Sequence, residues 1–313
     1  MSLSVKNITK KYGDKLVVDN LSFEMKEPGV YALLGTNGAG KTTSLRIILG
    51  MLAKNSGEVL WNEKSIDIVN TNVGYLAEER GLYPKYSLMD QLMYFAKLKK
   101  VDKRTAMDRI KYWSDRLDVD EYIFPPKGKG RKSSKSNNAD QLSKGNQQKI
   151  QLMVALLSDP ELLIIDEPFS GLDPLNTDLF KSIIREEISK NKYLIMSSHQ
   201  MPTIEEFCSD ITILDRGKVK LQGNLSEIKK SYGRVNLLVK CEQDIASYIA
   251  SFNLRIINKT PSEYHLKVQG EDQAMEFLSR LINDNITVIK FELREPSLHE
   301  IFVEKVGVDK DEE

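Results

Sequence analysis

Apolar residues fall along this chain in two rhythms. Residues 30–34 (VYALL), 162–165 (LLII) and 192–198 (KYLIMSS) are short, nearly unbroken apolar runs, closed by Gly35, Asp166 and His199. Runs of this kind predict strands buried on both faces of a parallel sheet. Residues 44–51 (SLRIILGM) and 84–124 instead place apolar residues three and four apart, which predicts helices. Leu88, Leu92, Phe95 and Leu98 share one face of the second stretch and are expected to pack inward.

Beyond about residue 225 the pattern changes. It predicts a strand at 235–242, a helix at 244–252, two strands at 254–259 and 264–268, an amphipathic helix at 271–285 and a strand at 286–293. The order β-α-β-β-α-β suggests a small ferredoxin-like α+β domain. A further helix at 297–306 and a frayed acidic tail, VDKDEE, follow. Two domains are therefore expected, 1–225 and 226–313, the first an α/β domain carrying a helical insertion at about 84–150.

Composition narrows the setting. The chain has 313 residues, 41% hydrophobic and 29% charged, as expected of a soluble globular protein. Basic and acidic side chains balance at 45 each, which argues against a nucleic-acid partner. Two cysteines, Cys208 and Cys241, lie far apart, so neither a disulfide framework nor a zinc site is expected. The first residues, MSLSVKNITKKYGDK, lack the apolar core of a signal peptide. No apolar run approaches the roughly 20 residues needed to span a bilayer, so any work at a membrane is done from outside it.

Candidate chemistry begins between the run at 30–34 and the helix at 44–51. Gly35, Thr36, Asn37, Gly38, Ala39, Gly40, Lys41 and Thr42 match G-x-x-x-x-G-K-[ST], followed by Thr43, in the strand–loop–helix setting that the motif requires. The glycines let successive backbone N–H groups turn toward phosphate oxygens, and the helix start adds its positive dipole end. Lys41 would supply a full charge to the β- and γ-phosphates, and Thr42 a hydroxyl to Mg²⁺.

The run at 162–165 ends in Asp166 and Glu167. Ligands of parallel sheets gather at the carboxyl ends of the strands, which puts Asp166 in position to hold Mg²⁺ and makes Glu167 the candidate general base. An acidic pair after a strand is usually only a solvated strand end; the phosphate loop upstream gives this one its meaning. His199 closes another core strand, where it could touch the γ-phosphate or orient a water. Residues 142–151 (LSKGNQQKIQ) read as a helix start capped by Ser143, able to receive an anion.

The order GTNGAGKTT, LSKGNQQKIQ, LLIIDEPFSGLDP and SSH resembles the ABC ATPase family over about residues 3–225. The resemblance implies a P-loop ABC ATPase core and a set of roles. Gly35 to Thr43 would form the Walker A loop around ATP, and Tyr12 would stack on adenine. Asp166 is similar to the Walker B aspartate, Glu167 to the catalytic glutamate and His199 to the switch histidine. Gly171, Leu172 and Asp173 resemble the D-loop. Ser143, Gly145 and Asn146 resemble the signature, which in this family contacts ATP held by the opposite subunit. The implied partners are an integral-membrane permease and a second ATPase, either an identical copy or a paralogue. The implied place is the cytoplasmic face of a bacterial plasma membrane.

Two departures stand out. The signature reads LSKGN where the commonest form is LSGGQ; Ser143 and Gly145 are kept, and Lys144 is expected to face solvent. Glu78 stands where the family usually has glutamine. An ionised glutamate only accepts hydrogen bonds, so Glu78 should favour Mg²⁺ over a bare phosphate. The stretches YLAEERGLYP and LSKGNQQK together resemble a subgroup of bacterial exporters related to sodium-export and drug- or peptide-resistance systems, whose ATPase carries an extra C-terminal domain. Tyr83, Pro84 and the loop after them would then face the permease. Residues 125–139, basic and rich in Pro, Gly, Ser and Asn, read as a loop that could meet anionic lipid. The alternative function, a soluble ABC-type ATPase acting on ribosomes or DNA, would be expected to show a second cassette or a long coiled coil, and neither pattern is present.

Overall fold

Strands that are apolar throughout need cover on both faces, and the architecture supplies it. The computed structural model describes residues 1–66, 71–79, 81–125 and 136–307. They divide into two compact units, Met1–Gln222 and Gly223–Glu313.

The first unit opens with β1 (Leu3–Tyr12), β2 (Lys15–Met25) and β3 (Gly29–Gly35), followed by α1 (Lys41–Ile48). Next come β4 (Ser56–Trp61), β5 (Lys64–Ser65) and β6 (Val73–Leu76). The helical stretch resolves into α2 (Leu88–Leu98), α3 (Lys103–Arg116), α4 (Asp120–Ile123) and α5 (Lys144–Leu156). Then follow β7 (Leu162–Asp166), α6 (Pro174–Ser189), β8 (Tyr193–Ser198), α7 (Met201–Glu205), β9 (Asp210–Asp215) and β10 (Lys218–Asn224).

These strands form two sheets. One is antiparallel, in the order β2-β1-β4-β5; the other runs β10-β9-β3-β8-β7-β6, and its five strands from β9 to β6 are parallel. As the apolar runs predict, β7 and β8 are buried at every residue, and β3 at all but its first. Helix α1 packs on β2, β3 and β7, and a shared core of Leu3, Ile8, Leu21, Leu45, Ile48 and Ile164 joins the two sheets. Each such side chain, wholly removed from water, contributes about 2 kcal/mol. Helices α2, α3 and α5 pack on one another, and α5 also covers β6.

Two sequence expectations need correction. Helix α1 stops at Ile48 rather than Met51, because Gly50 takes φ +71° and turns the chain away, leaving Met51 exposed. Leu88 and Leu92 are fully buried, but Leu98 ends its helix 52% exposed, past the last turn that its neighbours cover. Most of the basic stretch 125–139, and the tail VDKDEE, lie outside the described residues.

In the second unit α8 (Leu225–Tyr232) precedes β11 (Asn236–Cys241), α9 (Ala246–Ser251), β12 (Arg255–Lys259) and β13 (Tyr264–Lys267). There follow α10 (Glu271–Asn283), β14 (Val288–Arg294) and α11 (Leu298–Gly307). The sheet order is β12-β13-β11-β14, antiparallel throughout, which is the ferredoxin-like arrangement that the element order suggests. Leu237, Val239 and Leu266 face Ala274, Phe277 and Leu281 of α10 in its core.

Candidate functional site

In the large sheet β3, β8, β7 and β6 are parallel neighbours, so their carboxyl ends share one edge. That edge carries the phosphate loop after β3, His199 after β8, Asp166 and Glu167 at β7 and Glu78 after β6. A cleft of about 640 Å³ opens there, lined by Asn37, Gly38, Ala39, Gly40, Lys41, Thr42 and Thr43 with Glu78 and Glu167.

Gly40 shows why the loop tolerates little substitution. It holds φ +105°, and a Cβ there would stand 2.6 Å from the carbonyl oxygen of Val17. The turn is closed by the Ala39 N–H donating to Thr36 O at 3.1 Å. Lys41, only 6% exposed, folds back over this turn, its Nζ 2.9 Å from Gly35 O and 3.3 Å from Thr36 O. The same ammonium lies 3.2 Å from Oε1 of Glu167.

Glu167 is buried and sits in the left-handed region, φ +50°. For a glutamate this conformation costs about 1 kcal/mol and persists only where its surroundings impose it. Here they do, since the Glu167 N–H is 3.2 Å from both the backbone and hydroxyl oxygens of Ser197. Oε2 receives His199 Nδ1 at 2.9 Å and the His199 backbone N–H at 3.3 Å. The carboxylate is thus held between a cation and an imidazole, with Oε1 accepting no hydrogen bond of good geometry.

Asp166 accepts from the Ser197 hydroxyl and from Thr42. Burial raises its carboxyl above the ordinary aspartate value; the bonds from Ser197 and Thr42 oppose that, and the charge of Glu167 adds to it. Its second oxygen, Oδ2, is buried without a partner. An orphaned carboxylate oxygen beside a threonine hydroxyl is an all-oxygen donor set of the kind that suits a magnesium ion. Glu78, on the same cleft, is also raised, first by burial and then by Asp166 and Glu167, against the opposing charges of Lys41 and His199.

The remaining expected residues lie elsewhere. Ser143 caps α5, its hydroxyl accepting from the Asn146 N–H at 3.2 Å, and Lys144 is exposed beside it. Ser143, Gly145 and Asn146 are not among the residues lining the cleft. Asp173 caps α6 and binds Asn176 through both carboxylate oxygens, at 2.9 and 2.6 Å. Asn176 Nδ2 would be 3.3 Å from a Cβ on Gly145, so the D-loop-like turn abuts the capped end of α5. Gln148, one turn further on, donates to Pro168 O at 2.8 Å and ties α5 to the residue after Glu167. Tyr12 is 52% exposed at the end of β1, with Lys10 Nζ 4.9 Å from its ring centre, outside the cleft lining.

Sequence reasoning missed Lys15, Leu16, Val17 and Arg216 in the cleft and Ser197 behind it. The first three open β2 and Arg216 lies in the β9–β10 turn, segments pinned to the loop by Gly217 N–H to Ala39 O at 3.1 Å and Asp19 N–H to Gly217 O at 2.8 Å. Only Gly217, a turn glycine after an apolar run, could have hinted at the β9–β10 turn.

The chain is similar to known proteins over most of its length. A family model described as ABC transporter matches residues 18–170, and one described as the C-terminal domain of DrrA1-3-like ATP-binding proteins matches 223–306. The uncharacterized ABC transporter ATP-binding protein YhaQ of Bacillus subtilis (strain 168) is 40% identical over 306 residues, covering 97% of this chain and 98% of that protein. The linearmycin resistance ATP-binding protein LnrL of the same strain is 26% identical over 317 residues, covering 97% and 98%. A solved ATP-binding subunit of an ABC transporter aligns with TM-score 0.65 at 26% identity, over 74% of this chain and 93% of that one.

Proposed function

The chain belongs to the ABC transporter ATP-binding proteins, and from that membership we propose that it is one of a pair of motor subunits driving a separately encoded membrane permease. The observation that carries this reading is the division of the site. Lys41, Thr42, Asp166, Glu167 and His199 converge on one edge of the sheet, while Ser143, Gly145 and Asn146 stand apart at the capped end of α5. Two copies, or one copy and a paralogue, would each lend the second group to the other's nucleotide.

Each residue then has a task. The loop from Gly35 to Thr43 cradles the phosphates of ATP. Lys41 exchanges Glu167 and the loop carbonyls for phosphate oxygens, which frees Oε1 of Glu167. Glu167 takes a proton from the attacking water, and His199 holds the carboxylate in place. Bound magnesium would neutralise developing phosphate charge, held by Thr42 and Asp166, with Glu78 within the same cleft. Asn176, held by Asp173, links the start of α6 to Gly145 in the first turn of α5.

Permease docking fits a patch on the helical part. Tyr83, Tyr86 and Tyr94 are each about half exposed around a cavity of about 360 Å³. Gln91 stiffens the loop beneath it, binding Tyr83 N–H at 2.7 Å, Tyr83 O at 3.0 Å and Tyr86 O at 2.9 Å. Exposed, pre-ordered aromatics are the usual anchors of protein interfaces. Among the described residues no helix is long and apolar enough to cross a membrane, so attachment through a permease is the reading we adopt. Similarity to a linearmycin resistance subunit favours export as the direction.

The test is affinity capture of the tagged chain from detergent-solubilised membranes of its host. Recovery of an integral membrane protein, lost on Tyr86→Arg, supports the motor reading; recovery of ribosomes or DNA instead would replace it with the alternative.

A further inference from the structure

The second unit contains a cavity of about 670 Å³ that the ATPase chemistry does not use. It lies between α11 and the face of the sheet that carries Arg255, Lys267 and Asn236. These three stand side by side across the strands, since Arg255 pairs with Lys267 and Lys267 with Asn236 in the ladder. Arg294 completes the row on β14, opposite Asn236.

Charge in this row is only partly matched. Glu300 of α11 is bonded on all sides. It accepts from Ser297 N–H at 2.7 Å, Ser297 Oγ at 2.9 Å, Asn236 Nδ2 at 2.9 Å and Arg294 at 3.1 and 3.3 Å, with His265 Nε2 at 3.2 Å. Its negative charge is therefore spent on Arg294 and its neighbours. Arg255 and Lys267, directly opposite one another, have no ion pair among the described residues. Like charges facing each other across a ladder destabilise it unless an anion lies between them. Beside them Asn236 is 2% exposed, and with its amide given to Glu300 its Oδ1 is buried without a partner. A buried unpaired acceptor asks for a donor from a ligand or water.

We propose that this cavity binds a small organic anion, its carboxylate or phosphate held by Arg255 and Lys267 and a neighbouring O–H or N–H given to Asn236 Oδ1. The guanidinium of Arg255 offers a fork for two oxygens, and Lys267 a point charge from the next strand. Ile257 and Val303 give an apolar wall for the carbon body. Such an anion could arrive free in solution or as the headgroup of a lipid, and both would use the same contacts. Occupancy would make the second unit a sensor of that anion.

The three histidines of the chain supply the readout: His265 and His299 line this cavity, and His199 lies beside the nucleotide cleft. We would titrate the full chain with glycerol 3-phosphate, inorganic phosphate and glycerol, following the three imidazole C–H signals by NMR. The expected result is saturable movement of His265 and His299 with glycerol 3-phosphate, weaker with phosphate and absent with glycerol. Movement of His199 separately reports phosphate taken by the nucleotide loop. Arg255→Gln and Lys267→Gln, both partly or wholly exposed and safe for folding, should each weaken the cavity response about tenfold. Each should also slightly raise the melting temperature without ligand, by relieving the facing charges. Vesicles of phosphatidylglycerol, set against phosphatidylcholine, distinguish a headgroup from a free anion. Immobile His265 and His299 signals with every probe, or a response unchanged in both variants, would overturn the proposal.

Discussion

His199 Nδ1 lies 2.9 Å from Oε2 of Glu167, and the backbone N–H of His199 reaches the same oxygen from 3.3 Å. One residue thus fixes a single carboxylate oxygen twice, leaving the other to Lys41 at 3.2 Å. Glu167→Gln keeps the shape but removes the base. Turnover of ATP should fall at least about 100-fold, the usual worth of a general base, while ATP binding persists. Sedimentation with ATP should show a trapped dimer. Retained turnover would remove Glu167 from the role of base.

Ser143 has two tasks that differ in size. As the cap of α5 it accepts from Asn146 N–H at 3.2 Å, and its loss to alanine should lower the stability of the isolated chain by about 1 kcal/mol. As a contact to nucleotide in a partner subunit it should matter far more. Ser143→Ala is expected to abolish ATP-dependent dimerisation and reduce turnover well beyond that stability change. A variant that melts slightly earlier yet hydrolyses ATP normally would confine Ser143 to capping.

Where the sequence could be read and where it could not follows from physics. The strands β3, β7 and β8 are buried on both faces, so their apolar runs are unbroken and plain. The motif at Gly35–Thr42 and the pair Asp166–Glu167 carry their spacing within a few residues of those strands, so the sheet edge they share could be inferred. The antiparallel sheet was not read, because β1 and β2 are half exposed and irregular. Asn7 and Asn20 take φ +50° and +53°, and the β1–β2 pairing shifts register between residues 5 and 11, which destroys the two-residue period. Arg216 reaches the cleft from the β9–β10 turn and Lys15 from the start of β2, far apart in the chain, a closeness that no local pattern encodes. The βαββαβ order in the second unit could be read because its elements are separated by turns and β13 and α10 each bury one face, whereas β12 is exposed throughout and was legible only from its β-branched residues.

The Glu300 cluster should make the second unit sensitive to acid. Burial alone would raise the Glu300 carboxyl, but the N–H and hydroxyl of Ser297, then Arg294 and His265, outweigh it and hold the group below the ordinary glutamate value. A carboxyl depressed on folding lends stability that is present above its unfolded pKa and lost as pH falls through the folded one. His265 is lowered too, mainly by burial, with Arg294 and Lys267 adding and Glu300 and Glu263 opposing. An imidazole kept neutral by folding likewise loses its contribution as pH drops below the unfolded value near 6.5. Both effects run the same way. Protection factors at β11 and β13, the exchange rates set against the intrinsic amide rate at each pH, should therefore fall in two stages, first below about pH 6.5 and again below about 4.5. Glu300→Gln should cost about 2 kcal/mol at neutral pH and erase the second stage. Protection factors that stay constant between pH 7 and 4 would show that the cluster does not support the sheet.

Glu78 offers the sharpest question about coupling. Its carboxyl lines the cleft with Glu167, and burial together with the charges of Asp166 and Glu167 raises it above the ordinary glutamate value. A third carboxylate there is unfavourable until a cation arrives, so the magnesium-loaded cleft should suit Glu78 better than the empty one. Glutamine removes the repulsion and adds a donor able to meet a phosphate oxygen. Glu78→Gln should therefore tighten nucleotide binding without magnesium several-fold and lower the magnesium concentration dependence of turnover. It should also change how much transport accompanies each ATP once the permease is present, since the residue lies between the nucleotide edge and the helical part that begins at α2. Nucleotide affinity measured with and without chelator, and the ratio of transport to hydrolysis in reconstituted vesicles, check both statements. Unchanged values in both assays would mean that the carboxylate at this position is an incidental replacement for the amide.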